Sequence, residues 1–288
     1  TPLTALMLGE LLLRAGLPAG VVNVVAGTGI DAGAPLVSHP LVRHVSFTGS
    51  TTTGIEVIRA AARNVTSVLP ELGGKSPLVV LADADMEAAA DGIMGAIFEN
   101  AGQICSAGSR LVVERRAHSG LMEALVARAR ALKLGHGLRR PDMGPVNSSA
   151  HLSKIAAMVD AARDRGLEIV TGGSVSTDPE TEKGWFYQPT IIDNVPVDDP
   201  IAQEEIFGPV LAVQIADDAE EAISIANSTK YALVAGIYTR DFATAHRLAQ
   251  RIDAGQVFIN EYFAGGISVP FGGNRMSGFG REEGIDGM

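Results

Sequence analysis

The 288-residue chain predicts an α/β fold, and three features carry that prediction. Apolar residues make up 46% of it but aromatics only 5%, so its core is built from Val, Ala, Leu and Ile. Short β-branched runs alternate with longer amphipathic stretches. The 33 glycines recur where a strand passes into a helix, as the tight turns of βαβ units require. A chain of this length exceeds one simple core, so two domains or one large α/β unit are expected.

The elements follow in order. Leu3, Leu6, Met7, Leu11 and Leu13 predict a mostly buried helix from Leu3 to Ala15, stopped by Gly16-Leu17-Pro18. Val21 to Val25 is nearly continuous and β-branched, as a buried parallel strand would be. A short helix ends at Ser38 before His39-Pro40, Val45 to Phe47 is a strand, and Thr52 to Arg63 is a helix. Leu78 to Leu81 is a strand, and Asp83 and Asp85 cap a helix with Met86, Ala89, Ala90, Ile93 and Ile97 on its inner face. Strands are then expected at Leu111 to Val113, Thr190 to Ile192, Leu211 to Ile215, Val234 to Tyr238 and Gln256 to Ile259. They alternate with helices at Gly120 to Leu132, Ser148 to Arg165, Glu220 to Asn227 and Phe242 to Ile252. Thr171 to Gly184 reads as a surface loop, and the glycine-rich stretch after Gly265 as an irregular connection.

Charge and cysteine content narrow the function classes. With 23 basic against 33 acidic residues the net charge is −10, which opposes phosphate backbones and anionic membrane surfaces. Neither nucleic acid nor membrane is expected as a partner. A single cysteine excludes an intrachain disulfide framework and fits a reducing compartment, so a cytoplasmic location is expected. Neither a secretory leader pattern nor a bilayer-spanning apolar run is present. Thr1-Pro2-Leu3-Thr4-Ala5 resembles a helix start without an initiator methionine, so the chain is expected to begin inside a longer protein.

Cys105 follows the helix that begins near Met86 and lies in Asn100-Ala101-Gly102-Gln103-Ile104-Cys105-Ser106, among residues too small to bury it. It admits two readings, a reactive thiol and an inert buried one. Glu71 in Glu71-Leu72-Gly73-Gly74-Lys75 favours the first, because two glycines after a carboxylate let backbone and side chain approach closely. Its alternative is a solvated turn residue. Together the two residues suit a thiolate nucleophile and a general base for water. Gly27-Thr28-Gly29 with Gly33, and Thr48-Gly49-Ser50, each follow a predicted strand and open a helix, where backbone amides can face a phosphate. The first spacing is one residue longer than the usual dinucleotide fingerprint, and a purely structural turn is its alternative; two such turns in succession favour a dinucleotide crevice. None of the six histidines pairs with Cys105 or shows metal-ligand spacing, and His39 and His44 read as solvent or capping residues. No metal is expected.

These strings amount to a resemblance. Phe47-Thr48-Gly49-Ser50-Thr51, Glu71-Leu72-Gly73-Gly74-Lys75-Ser76-Pro77, Gly102-Gln103-Ile104-Cys105, Glu204-Glu205-Ile206-Phe207-Gly208-Pro209 and Pro270-Phe271-Gly272-Gly273 with Met276-Ser277-Gly278 resemble the aldehyde dehydrogenase superfamily, in family order and over the whole chain. The resemblance implies a Rossmann-like dinucleotide-binding portion in residues 1–73. A catalytic thiol domain with a C-terminal return segment would fill residues 74–288.

It also implies NAD(P)-dependent oxidation of an aldehyde to a carboxylic acid, with Cys105 as nucleophile, Glu71 activating the hydrolytic water, and the Cys105 amide as half of an oxyanion hole. NAD is the expected cofactor and NADP is possible. Glu205 would hold the nicotinamide ribose and Phe207 the nicotinamide. Phe47, Thr48, Gly49, Ser50, Leu72 and Gly73 would line the pyrophosphate and nicotinamide side, and Gly29 and Gly33 the adenosine side. Tyr262 and Phe263 would line a substrate tunnel, with core packing as their alternative.

In such proteins an oxyanion-hole asparagine, an adenosine-binding lysine and a C-terminal oligomerisation strand lie outside the present sequence. This chain therefore resembles a fragment, inactive alone, of a parent expected to be a homodimer or homotetramer. Pro70 departs from the family's usual apolar residue and implies a stiffer arm for Glu71. Three other functions compete: a CoA-acylating dehydrogenase, which generally lacks the glutamate; a catalytically silent member; and a thiol hydrolase.

Overall fold

Leu3, Leu6, Met7, Leu11 and Leu13 do form a helix, α1 (Leu3–Arg14), but all five are exposed and none of its residues is buried. The periodicity was sufficient to predict the helix but not its surroundings, because no layer in its own unit covers it. In the computed structural model, which describes residues 2–285 and 287, the chain divides into two units. The first runs up to Thr48 and resumes over Thr52–Pro70; the second takes Gly49–Thr51 and everything from Glu71 onward.

Besides α1, the first unit holds α2 (Ala34–Val37), β1 (His44–Thr48), most of α3 (Thr51–Ala62) and most of β2 (Ser67–Glu71). Strands β1 and β2 form a two-stranded sheet. The strand expected at Val21 to Val25 does not form; Val21, Val22 and Val25 are exposed coil. A strand exists only by sharing ladder hydrogen bonds with a neighbour, and among the described residues this run has none. The following turn is capped locally, with Thr28 Oγ1 accepting from the Asp31 amide at 3.1 Å.

The second unit is built on one sheet. Its elements are β3 (Pro77–Val80), α4 (Met86–Phe98), β4 (Arg110–Glu114), α5 (Arg115–Ala131), α6 (Ser149–Asp164), β5 (Glu168–Thr171), β6 (Val175–Ser176), β7 (Phe186–Tyr187) and β8 (Thr190–Asp193). Then come α7 (Pro200–Gln203), β9 (Val210–Ala216), α8 (Ala219–Ala226), β10 (Tyr231–Ala232), β11 (Val234–Tyr238), α9 (Phe242–Ala249), β12 (Gln256–Ile259) and β13 (Asn274–Arg275). Seven strands line up as β12-β11-β3-β4-β9-β8-β5, all parallel except β5 at one edge.

Alternation along the strands explains why helices cover both faces. Leu78 and Val80 of β3 pack with Ala89, Ile93 and Ile97 of α4 and with Leu121 and Leu125 of α5. Val79 and Val112 point the other way, against Ile223 and Ile225 of α8 and Leu248 of α9. A third cluster joins Leu152, Ile155 and Val159 of α6 to Ile192 and Val210.

Two local expectations need correction. The segment Thr171 to Gly184 is not simply loop, since β6 pairs with β7 as a hairpin, and Asp178 is buried, accepting from the amides of His136, Glu180 and Thr181. Only Asp85 caps α4, through the Ala88 amide; Asp83 instead accepts from Thr239 Oγ1 and the amides of Arg240 and Asp241.

Register fixes where chemistry can sit. Pro77 lies opposite Arg110, and Arg110 opposite Ala212, so the segments that enter β3, β4 and β9 run side by side. Those segments carry Glu71 to Lys75, Gly102 to Ser106, and Glu204 to Gly208. Gly102 has φ +70°, and a Cβ there would fall on the carbonyl oxygen of Gly208. Replacing Gly102 with Ala thus combines left-handed strain with overpacking. The expected loss is about 3 kcal/mol of unfolding free energy, read from the midpoint of a urea titration.

Candidate active site

Cys105 is held on a strained approach. The helix α4 ends at Phe98, and Asn100 and Ala101 take left-handed backbone angles of 49° and 56° in φ before Gly102 at 70°. Non-glycine residues there raise the backbone energy, which a tightly packed surround must hold in place. Two hydrogen bonds tie the bend: Asn100 Nδ2 donates to Gln103 O, and Gln103 Nε2 donates to Asn100 O. Cys105 itself is half-buried, between the inert core position and the fully solvated one.

Glu71 is not a solvated turn residue. It is 3% exposed at the end of β2, its carbonyl accepts from the Gly49 amide at 3.0 Å, and it bridges Gly278 on its other side. Neither carboxylate oxygen has a hydrogen-bond partner among the described residues. Burial, reinforced by Glu282, pushes its carboxyl up to about 8. A carboxyl in that state holds its proton at neutral pH and becomes a base as pH approaches 8.

Gly73 and Gly74 permit two close approaches. A Cβ on Gly73 would fall on the Glu205 carboxylate, and one on Gly74 would lie 2.7 Å from the carbonyl oxygen of Cys105. The Gly74 amide donates to Glu205 Oε1 at 3.2 Å. Glu205 is thereby held against the backbone that leads from Glu71. Burial raises its carboxyl above the usual range, opposed by the Gly74 hydrogen bond. Phe207, two residues on, has φ +59° and is partly exposed; its carbonyl accepts from His151 Nε2 at 2.6 Å, and its ring meets the His151 ring edge-on. Gly74, Ile104, Glu205 and Phe207 line a narrow crevice of about 10 Å³ on this side of the cysteine loop.

On the other side lies an open pocket of about 210 Å³, lined by Ser106, Phe258, Phe263, Phe271 and Glu283 among others. Phe263 therefore lines a cavity. Tyr262 acts differently: its hydroxyl donates to Ser106 O at 2.8 Å, and its ring packs on Phe258 and Phe263. It props the cysteine loop while Phe263 faces the space.

The remaining candidates fall in two groups. Leu72 is buried, its amide donating to Ser277 O, and Ser277 Oγ donates to Gly73 O while accepting from the Ala232 amide. Gly49 carries the hydrogen bond to Glu71, Ser50 is exposed, and Thr51 Oγ1 donates to Met276 O. In the first unit Phe47 is half-buried and Thr48 exposed on β1, while Gly29 and Gly33 have open space where a side chain would be. His39 Nδ1 accepts from the Leu41 amide, and His44 Nδ1 pairs with Ser67 Oγ on the neighbouring strand β2. Lys75, Ser277, Phe258 and Phe271 received no role from the sequence. A lysine entering an otherwise apolar, fully buried strand was the signal available for the first.

With this geometry in view, comparison places the chain. The sequence pattern of the aldehyde dehydrogenase family matches it from residue 1 to residue 288. The chain belongs to the aldehyde dehydrogenase family. Betaine aldehyde dehydrogenase of Bacillus subtilis is 42% identical over 289 aligned positions, covering 100% of this chain and 59% of that protein. The zebrafish 4-trimethylaminobutyraldehyde dehydrogenase A is also 42% identical, over 99% of this chain and 56% of its own length. Among solved structures, betaine aldehyde dehydrogenase of Staphylococcus aureus in complex with NAD+ superposes with a TM-score of 0.97 at 39% identity, covering 100% of this chain and 57% of the other. This aldehyde dehydrogenase chain thus spans just under three fifths of the length of such relatives.

The negative neighbours of Cys105 make a testable point of electrostatics. Burial raises its thiol most, and the charges of Glu205 and Glu71 raise it further. Replacing Glu205 with Gln removes one of those charges, so the thiolate should form at lower pH. Because the chain has one cysteine, alkylation by iodoacetamide followed across pH reads that residue alone. The expected result is a profile displaced to lower pH and several-fold faster labelling at pH 7.5; a superimposable profile would show that Glu205 exerts no field on the sulfur.

Proposed function

We propose that the full-length protein oxidises an aldehyde to a carboxylic acid with NAD(P), and that residues 74–288 carry its thiol chemistry. The reading is supported most by one observation: the segments bearing Glu71, Cys105 and Glu205 enter neighbouring strands, with Gly73 and Gly74 bringing them into contact. The Cys105 thiolate attacks the aldehyde carbon, and the oxygen gains negative charge beside the Cys105 amide. NAD(P), which Glu205 and Phe207 would hold, would supply the acceptor for the hydride lost from that carbon. That leaves a thioester on Cys105. Glu71 removes a proton from water, the hydroxide attacks the thioester, and the acid departs with the thiol restored.

The residues fit such a cofactor. Glu205 offers a carboxylate to ribose hydroxyls, the side-chain-free backbone of Gly73 and Gly74 admits that carboxylate, and Phe207 presents a partly exposed ring two residues on. Gly49, Ser50 and Leu72 are proposed as its further contacts. NAD is favoured because the Staphylococcus aureus relative was solved with NAD+. Phe258, Phe263, Phe271 and Glu283 around one pocket suit a cationic head group through ring faces and charge. This, with the names of the relatives, supports a trimethylammonium aldehyde as substrate. Hydrolysis by water rather than transfer to CoA is supported by the buried Glu71.

In the full-length protein, Cys105→Ser should lose at least about a thousandfold in kcat, followed as NADH absorbance. Glu71→Gln should retain a single-turnover burst of NADH and lose steady-state turnover, and turnover of the parent enzyme should rise with pH through about 8 as Glu71 deprotonates. Betaine aldehyde should show a KM at least tenfold below that of its uncharged isostere 3,3-dimethylbutanal; equal KM values would overturn the cationic reading.

Stability should follow the same group. The carboxyl of Glu71 is higher when folded than the ordinary 4.5, so the folded state binds the extra proton and loses stability as pH rises from 4.5 towards 8. Thermal unfolding of Glu71→Gln should show a smaller decline across that interval.

A further inference from the structure

Lys75 is 1% exposed, and its Nζ has no hydrogen-bond partner among the described residues. An ammonium so placed is costly unless an opposite charge balances it. The charged groups that face it are Arg110, Glu204 and Glu205. Arg110 is equally buried but satisfied: it donates to the carbonyls of Lys75, Ile225 and Ala226 and to Gln214 Oε1, so the C-terminal end of α8 answers its charge. Glu204 is exposed and already held through both oxygens by Lys230 at 2.8 Å. That leaves Glu205, which rests on Gly73 and Gly74, the two residues immediately before Lys75, and whose carboxylate faces no ion-pair partner at salt-bridge distance among the described residues.

We propose that Lys75 is the buried counter-charge of Glu205, keeping that carboxylate ionised and so setting how tightly it takes the ribose hydroxyls of the cofactor. Lys75 is a positioning residue: it touches neither substrate nor cofactor and acts through Glu205. This inference rests on the assignment of Glu205 to the cofactor. Each group favours the charged form of the other, while burial, with Arg110 beside it, brings the Lys75 ammonium down to about 7. Lys154 also supports the Glu205 anion, from α6. The pairing therefore weakens as Lys75 loses its proton in the neutral range, and cofactor affinity falls with it. Titration of Glu205 alone would have the opposite sign, since more of the anion forms as pH rises.

The test is NAD+ affinity of the full-length protein by calorimetry, for the parent, Lys75→Met, Glu205→Gln and the double variant, with Lys75→Arg as the charge-keeping control. Lys75→Met is expected to weaken NAD+ binding about tenfold in the parent and less than twofold in the Glu205→Gln background, and Lys75→Arg to restore most of the loss. Equal losses in both backgrounds would overturn the proposal, because a merely structural lysine acts regardless of Glu205. If Lys75→Met does not fold, the pH dependence decides: the parent should bind NAD+ more weakly from pH 6 to pH 8.5 and Glu205→Gln should not, whereas an identical decline in both sinks the inference. If Glu205→Gln leaves NAD+ affinity unchanged at every pH, it is the assignment of Glu205 to the cofactor that fails.

Discussion

The site depends on a stretch of backbone without side chains. Gly73 and Gly74 let a carboxylate and a neighbouring main chain lie where a methyl group would collide, and no other residue type allows both approaches at once. Everything of chemical interest is arranged around that gap. Glu71 precedes it, Lys75 follows it, Glu205 leans into it, and the carbonyl of Cys105 closes it. Parallel pairing of β3, β4 and β9 supplies the frame, since it lays three entering segments next to one another at the amino ends of their strands.

Packed this closely, the ionisable groups cannot be considered singly. Glu71 and Glu205 both oppose a thiolate at Cys105, and both are themselves driven toward neutrality by burial. A thiol whose ionisation is suppressed in this way is also protected from adventitious oxidation and alkylation. The two carboxyls differ in what surrounds them. Glu205 has an amide donor and the charge of buried Lys75, whereas neither oxygen of Glu71 has a hydrogen-bond partner among the described residues and only Arg281 opposes its burial, a difference that suits the two roles proposed for them.

Much of this was legible beforehand, and the failures are instructive. Glu71 and Cys105 drew notice from their own strings, each with a structural alternative beside it, and Glu205 entered only through the resemblance. Strands β3, β4, β9, β11 and β12 were readable from continuous apolar runs, as sheets covered on both faces demand. Val21 to Val25 misled because composition reports a preference for extended pairing but not whether a neighbour is there to pair with. The helix α1 misled in the same way: its apolar residues describe a surface made to be covered, which its own unit does not cover. Lys75 was visible in sequence yet mute, since a lysine says nothing of its depth until the strand around it is placed. Tyr262 and Phe263 are adjacent and alike in character, and only coordinates separate the one that braces from the one that lines a cavity.

The hydroxyl of Ser277 donates to the carbonyl of Gly73 across a sequence separation of 204 residues, and the same serine also receives the amides of Leu72 and Ala232. A clasp of that span cannot close during synthesis until the ribosome has extruded everything from Gly73 to Ser277. Until Ser277 emerges, the nascent chain carries the thiol and its acidic neighbours on unfastened backbone, so their arrangement is completed late for this stretch of sequence.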